Sequence, residues 1–362
     1  MEAALAGLAG ESPDAVVVAA TAALGSRVLS GLLERSARLL DGGAWLGASA
    51  EGLLMADGEI VGMPGFAVAA LSGVDAEFFS CEKLAGREAE AADEIASQLA
   101  APPEADDLLV VFADSLELAS EPFLRALGEA AGPARVIGLG ASELPGDSPR
   151  LWGAGDFIES GCCGLRLRVP RPPEIVVTNG ARPLGEEMEV TGVRGGWVLR
   201  LDGEPALPRL FAAAGVSPGE SLAPGVLVRI RKPGAGEAAG SAVVRNLTGF
   251  DPDREAFALP VPAIRGDRLC FVRLDSMAAR EDLGACLEGI GQGRPGLGLY
   301  FSCHSRGARL FEHSGLESGY LARALGAAPL LGMMGAFQFA PDPGGGHPLL
   351  HTYSGVLARF EG

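Results

Sequence analysis

This sequence predicts a mixed α/β fold: two domains built on mixed sheets, with βαβ units and flanking helices. Three observations carry the prediction. A strand–helix–strand order closing in a small-residue turn recurs along the chain. Strand-like pieces in hairpin order lie between the copies, and a proline cluster divides the whole near its midpoint.

The first copy runs from Asp14 to Ser49. Ala15 to Ala20 is a Val-rich apolar run of strand length. Leu29, Leu32, Leu33, Ser36 and Leu40 then recur at helical spacing, with Arg27, Glu34, Arg35 and Arg38 on other faces. Asp41-Gly42-Gly43 is expected to stop that helix, because glycine takes the left-handed conformation a C-terminal cap needs. Ala44-Trp45-Leu46 reads as the second strand and ends in Gly47-Ala48-Ser49.

In the second copy Leu108 to Ala113 is a strand, and Ser120 with Pro122 opens a helix through Glu129. Gly132-Pro133 closes that helix, and the strand from Arg135 to Leu139 ends in Gly140-Ala141-Ser142. The third copy begins with Leu297 to Ser302. Ser314-Gly315-Leu316-Glu317 has the spacing of a capping box, and Leu316, Tyr320, Leu321, Ala324 and Leu325 form an apolar stripe. Gly326 ends this helix before the Pro329 to Met334 strand.

Right-handed crossovers would make each pair of strands parallel. Phe66 to Leu71 with Ala76 to Ser80, then Trp197 to Leu201, Val226 to Arg231, Glu255 to Leu259 and Leu269 to Leu274 supply the hairpin-like pieces, so the sheets are mixed. Pro170-Arg171-Pro172-Pro173 is the linker, since prolines extend the chain and block ladders. The domains are therefore 1–169 and 174–362.

Composition narrows the function. At 362 residues, 48% hydrophobic and 21% charged, the chain is globular, and its formal net charge of −17 repels phosphate backbones and anionic lipid. Nucleic acid and membrane are excluded as partners: the arginines are scattered, and no apolar run nears the roughly 20 residues a membrane span needs. Met1-Glu2-Ala3-Ala4-Leu5 lacks the basic start of a secretion signal, so a cytoplasmic protein is expected. No Cys-x-x-Cys spacing exists among the six cysteines, and Cys162-Cys163 read as packed small residues rather than a redox pair. No phosphate-binding glycine loop or nucleophile elbow occurs, and Gly138-x-Gly140 lacks a third glycine.

All four histidines (His304, His313, His347, His351) fall in the last seventy residues, beside Cys303 and Arg306. Titratable groups gathered where a strand meets a turn point to a site. Cys303-His304-Ser305-Arg306-Gly307 follows what should be a central strand, where α/β sheets bind ligands. Arg306 could clamp a carboxylate, with the backbone after Ser302 and the amide of Gly307 as further donors; equally, it could bond carbonyls and hold the turn. Cys303 is the weak catalytic candidate, but adjacent residues on an extended chain face opposite ways, so His304 is poorly placed as its base. His347 and His351 are four apart, yet Pro348 argues against a helix and so against a zinc pair. A single histidine could serve as a haem ligand, with Met333, Met334, Phe337 and Phe339 as an apolar pocket or as plain core. Gly47-Ala48-Ser49 and Gly140-Ala141-Ser142 either admit a ligand to the backbone, Ser49 offering a hydroxyl, or merely turn the chain.

The chain resembles the FIST family, F-box and intracellular signal transduction proteins, whose members pair an N-terminal and a C-terminal FIST domain. The first half carries Trp45-Leu46-Gly47-Ala48-Ser49-Ala50-Glu51-Gly52, Gly58-Glu59-Ile60, Pro64-Gly65, Val136 to Ser142 and Gly161-Cys162-Cys163-Gly164-Leu165. The second carries Pro183-Leu184-Gly185, Val190-Thr191-Gly192-Val193, Leu201 to Ala206, Phe301 to Gly307 and His351-Thr352-Tyr353. The resemblance implies a sensor of small molecules, amino acids among them, that signals through a separate partner such as a kinase. It also implies a haem-binding nitric oxide sensor as an alternative. A Cys-dependent enzyme and a scaffold that binds nothing are the remaining readings, and no cofactor is expected in the first of these four. Two departures stand out. Relatives carry Gly-Glu-Ile-x-Pro where this chain has Phe337-Gln338-Phe339-Ala340-Pro341, so Gln338 replaces a carboxylate and keeps only hydrogen bonding. The first domain also starts late. In this reading Gln338 and His351 complete the polar recognition begun by Arg306.

Overall fold

The computed structural model describes residues 12–39, 44–116, 120–143, 148–154, 156–217, 222, 225–236, 240–291 and 293–362. Within these the strand–helix–strand copies are present, and they form one repeated pattern. The first repeat is β1 (Ala15–Thr21), α1 (Ser26–Leu39) and β2 (Ala44–Ala50), then the hairpin of β3 (Gly52–Met55) and β4 (Gly58–Val61), then β5 (Phe66–Leu71) and β6 (Asp75–Cys81). After α2 (Ala91–Gln98) the order recurs as β7 (Asp107–Ala113), α3 (Ser120–Ala131) and β8 (Arg135–Gly140). The hairpin of β9 (Leu151–Gly153) and β10 (Asp156–Ile158) follows, then β11 (Cys162–Arg168) and β12 (Glu174–Asn179).

A lobe of short antiparallel strands comes next. It holds β13 (Ala181–Pro183), β14 (Met188–Arg194), β15 (Trp197–Leu201), β16 (Glu204–Pro205) and α4 (Ala206–Ala214). It continues with β17 (Val226–Arg231), β18 (Ala242–Asn246), β19 (Gly249–Asp251), β20 (Ala256–Ala258) and β21 (Arg268–Leu274). The bridging helix α5 (Ser276–Glu288) leads to the third repeat: β22 (Pro295–Cys303), α6 (Ala308–Phe311), α7 (Leu316–Leu325) and β23 (Leu330–Gly335). The hairpin of β24 (Gln338–Ala340) and β25 (Leu349–His351) then precedes β26 (Ser354–Glu361).

Each repeat builds its own sheet around a parallel pair: β1 with β2, β7 with β8, β22 with β23. Each parallel pair is flanked by the antiparallel strand of its own repeat, β5, β11 or β26. The hairpins are exchanged in a cycle. β3 pairs with β23, β9 with β2, and β24 with β8. The sheet orders are therefore β10-β9-β2-β1-β5, β25-β24-β8-β7-β11-β6 and β4-β3-β23-β22-β26-β12, one ordering three times with the last position of the first sheet unfilled among the described residues. Pairing thus crosses the Pro170–Pro173 segment in both directions.

The inner faces of the three sheets share one core, with Val17 and Leu46 meeting Val110 and Ile137, Leu299 and Val356. Outer faces are covered by α1, by α2 and α3, and by α7. Where the second strand of each repeat ends, the backbones join in a ring: the Ser142 amide donates to Ser49 O (2.9 Å), Ala336 to Gly140 O (3.0 Å) and Glu51 to Met334 O (2.9 Å). The small-residue turns exist for this closure. A Cβ on Gly335 would lie 2.5 Å from Gly140 O, and one on Gly47 would overlap the Val18 carbonyl and the Trp152 ring.

Two local expectations change. β5 and β6 do not form a hairpin; the turn at Gly73 carries the chain from one sheet to the next, so β5 pairs β1 and β6 pairs β11. Ser314 and Glu317 make no capping box, since Gly315 caps α7 without a side-chain bond and Glu317 turns inward to a buried cation. Asp41-Gly42-Gly43 lies outside the described residues. No helix among those described is long and apolar enough to cross a membrane.

Candidate functional site

The candidate residues gather at the carboxyl end of β22, divided by its two faces. Alternation along the strand sends Leu299 and Phe301 into the shared core, with Cys303 buried on the same face, and Tyr300 and Ser302 toward α7. On the α7 side, the Glu317 carboxylate accepts from four donors. Tyr300 OH reaches its Oε1 at 2.6 Å and Arg306 Nε the same oxygen at 2.8 Å, while Ser302 Oγ and the Gly307 amide each approach Oε2 at 3.2 Å.

Arg306 is wholly buried, with its guanidinium 5.2 Å from the centre of the Phe311 ring. Burial pulls it toward the neutral form, but Glu317 and Tyr300 hold its pKa above the ordinary arginine value. Burial, then Glu317, pushes the Tyr300 phenol well up. Arg306 therefore stays charged. Its two terminal nitrogens, Nη1 and Nη2, are buried and have no hydrogen-bond partner. Neither sequence reading had it bound to Glu317; the capping-box spacing of Ser314 and Glu317 concealed the pairing.

On the core side, β24 and β25 place Gln338 directly opposite His351. Ser354 Oγ donates to Gln338 Oε1 (3.3 Å), leaving Gln338 Nε2 and both His351 ring nitrogens buried without partners. Burial, and secondarily Arg245, lowers the His351 pKa to about 3. Arg245 belongs to the lobe and donates to Leu350 O (2.7 Å) from Nη2, while Thr352 Oγ1 donates to Val244 O (2.6 Å). The lobe thus docks just behind His351. The sequence contained no signal for Arg245, whose strand pattern looks like any other in the lobe.

His304 and Ser49 join neither group. His304 sits at the surface, its Nδ1 3.5 Å from Glu51 Oε2, and Arg309 Nη2 approaches Glu51 Oε1 at 2.7 Å. Ser49 is buried, donating to Ser142 O (2.7 Å) and accepting from the Arg150 amide (2.9 Å), so its hydroxyl is committed to the ring of turns. Cys303 is buried, with its thiol 4.0 Å from Ala336 O. Cys162 and Cys163 are also buried, on opposite faces of β11, and Cys162 lies across from Cys81.

A haem would need one buried histidine beside an apolar slot. His313 and His347 are exposed and His304 half-exposed, which leaves His351. Met333, however, packs in the shared core, Met334 against α7, and Phe339 against α2 and α3. These side chains fill three separate clusters and line no common slot, so the residues as arranged do not fit haem. Among the described residues no three His, Cys, Asp or Glu side chains gather as a metal site.

Comparison with known proteins finds two family domains along the chain. The FIST N domain matches residues 14–204 and the FIST C domain residues 207–341. An uncharacterized protein of Mycobacterium tuberculosis strain H37Rv is 29% identical over 332 residues, covering 88% of this chain and 83% of its own. An uncharacterized protein of Mycobacterium bovis is 28% identical over 370 residues, covering 98% of this chain and 92% of its own.

Proposed function

The chain belongs to the FIST family, whose domains are associated with signal transduction sensing, and on that premise we propose that it binds a small carboxylate metabolite, an amino acid in the first instance, and reports it to a separate signalling protein. The observation that carries the reading is Arg306. An arginine held through Nε alone keeps a parallel pair of buried donors without a protein partner, and that pair matches a carboxylate in the bidentate geometry. Leaving buried donors unmade is costly, so a ligand that satisfies them gains correspondingly.

The short helix α6 lies between Gly307 (φ 55°) and Glu312 (φ 64°), both in left-handed conformations, and its Phe311 covers the guanidinium. Displacement of α6 by a ligand would pull Arg309 away from Glu51, the residue just before the exchanged β3–β4 hairpin. Occupancy is thereby transmitted from the third repeat to the first. Gln338, His351 and Ser354 form the second polar group, on the opposite face of β22, and answer to the lobe through Arg245.

Arg306→Lys tests the reading. Lysine keeps the charge opposite Glu317 and loses the fork. A screen of amino acids by thermal shift should find one or more that stabilise the wild type and have no effect on the variant. An unchanged response in Arg306→Lys would remove Arg306 from the site, and a Soret band in the purified protein would replace the metabolite with haem.

A further inference from the structure

The three sheets share one order, but the described residues fill the outermost position only in two. β6 pairs antiparallel with β11, and β12 pairs antiparallel with β26, while no strand among the described residues lies along the corresponding edge of β5. The Thr21 amide donates to Gly65 O (2.9 Å), which sets the alternation along β5. Amides of Ala67 and Ala69 therefore face β1, and those of Phe66, Val68 and Ala70 face outward.

Outer strands are normally protected by charge or brevity. Asp75 and Glu77 lie on β6, Glu174 on β12, Glu59 on β4 and Asp156 on β10, while β25 has only three residues. β5 reads Phe-Ala-Val-Ala-Ala-Leu, and no ionisable residue occurs from Val61 through Val74. In a chain of net charge −17, this is an edge at which two copies can meet without opposing like charges.

We infer that the open edge of β5 pairs with β5 of a second copy, antiparallel about a two-fold axis at Val68, joining the two first-repeat sheets into one. A two-fold self-pairing supplies the antiparallel direction that both sister sheets use at this position. Faces are preserved about such an axis, so residues of equal parity oppose each other. Phe66, 44% exposed, then meets Ala70 of the other copy on the side covered by α1, where the small side chain leaves room for the ring.

Light scattering on the eluting protein should give a mass twice that of the chain for the wild type and the single-chain mass for Phe66→Lys, with unchanged circular dichroism. Val68→Cys, oxidised with diamide, should yield a covalent pair that the wild type does not form, and this arm stands even if Phe66→Lys fails to fold. A single-chain mass for concentrated wild type would overturn the inference. So would a dimer that Phe66→Lys leaves intact and Val68→Cys does not cross-link.

Discussion

Glu317 and Arg306 are the pair on which the candidate site stands, and each is expensive to remove alone. Glu317→Ala would strand a buried guanidinium with no carboxylate to pair it, a loss of about 3–5 kcal/mol. Replacing both partners with apolar residues should recover most of that loss, because neither charge is then left unpaired. Urea denaturation of the single and double variants measures both expectations. His351 gives a second test at this scale. Its folded pKa of about 3 lies below the ordinary value near 6.5, so the unfolded chain takes up the proton first as pH falls. The resulting stability is complete above pH 6.5 and declines toward pH 3 by about 1.4 kcal/mol per unit. His351→Gln should remove that slope, and a variant with the wild-type pH dependence would show that His351 is not buried neutral. Arg306 and His351 were legible in the sequence as ligand-capable groups near one strand end. Their partners were not. A Ser-x-x-Glu spacing looks the same whether the glutamate caps its helix or turns inward to Arg306.

The exchanged hairpins tie the elements together, and the turns between strand and hairpin must be small. Gly335→Ala would force a methyl against Leu139 and the Gly140 carbonyl, where the backbone ring closes, and should cost about 1–3 kcal/mol. Gly25→Ala, with open space around its Cα, should stay within about 0.5 kcal/mol of wild type. Thermal melts of the two variants separate a packing role from a general glycine effect. Strand–helix–strand units were readable from apolar runs and helix-opening residues such as Ser120 and Pro122. Partner choice was not. Phe66–Leu71 and Asp75–Cys81 are adjacent strands with a tight turn between them, and nothing local says that each joins a different sheet.

The molecule as a whole is three repeats sharing one core, with a lobe inserted before the third. Since β3 and β4 complete a sheet of the third repeat, and β24 and β25 one of the second, segments 1–169 and 174–362 should each fail to fold alone. Mixed during refolding, they should recover a cooperative transition; two independent transitions from the separate pieces would show that the sharing is dispensable. Under the proposed function, Arg309, which reaches Glu51, and Arg245, which reaches Leu350, are the contacts that would carry a change at the site to the rest of the fold. The most direct test of metabolite sensing is a native mass spectrum of gently purified protein set against its denatured mass. The account predicts a non-covalent surplus of amino-acid size in the wild type that is absent from Arg306→Lys. A surplus of haem size, or one that Arg306→Lys retains in full, would contradict it.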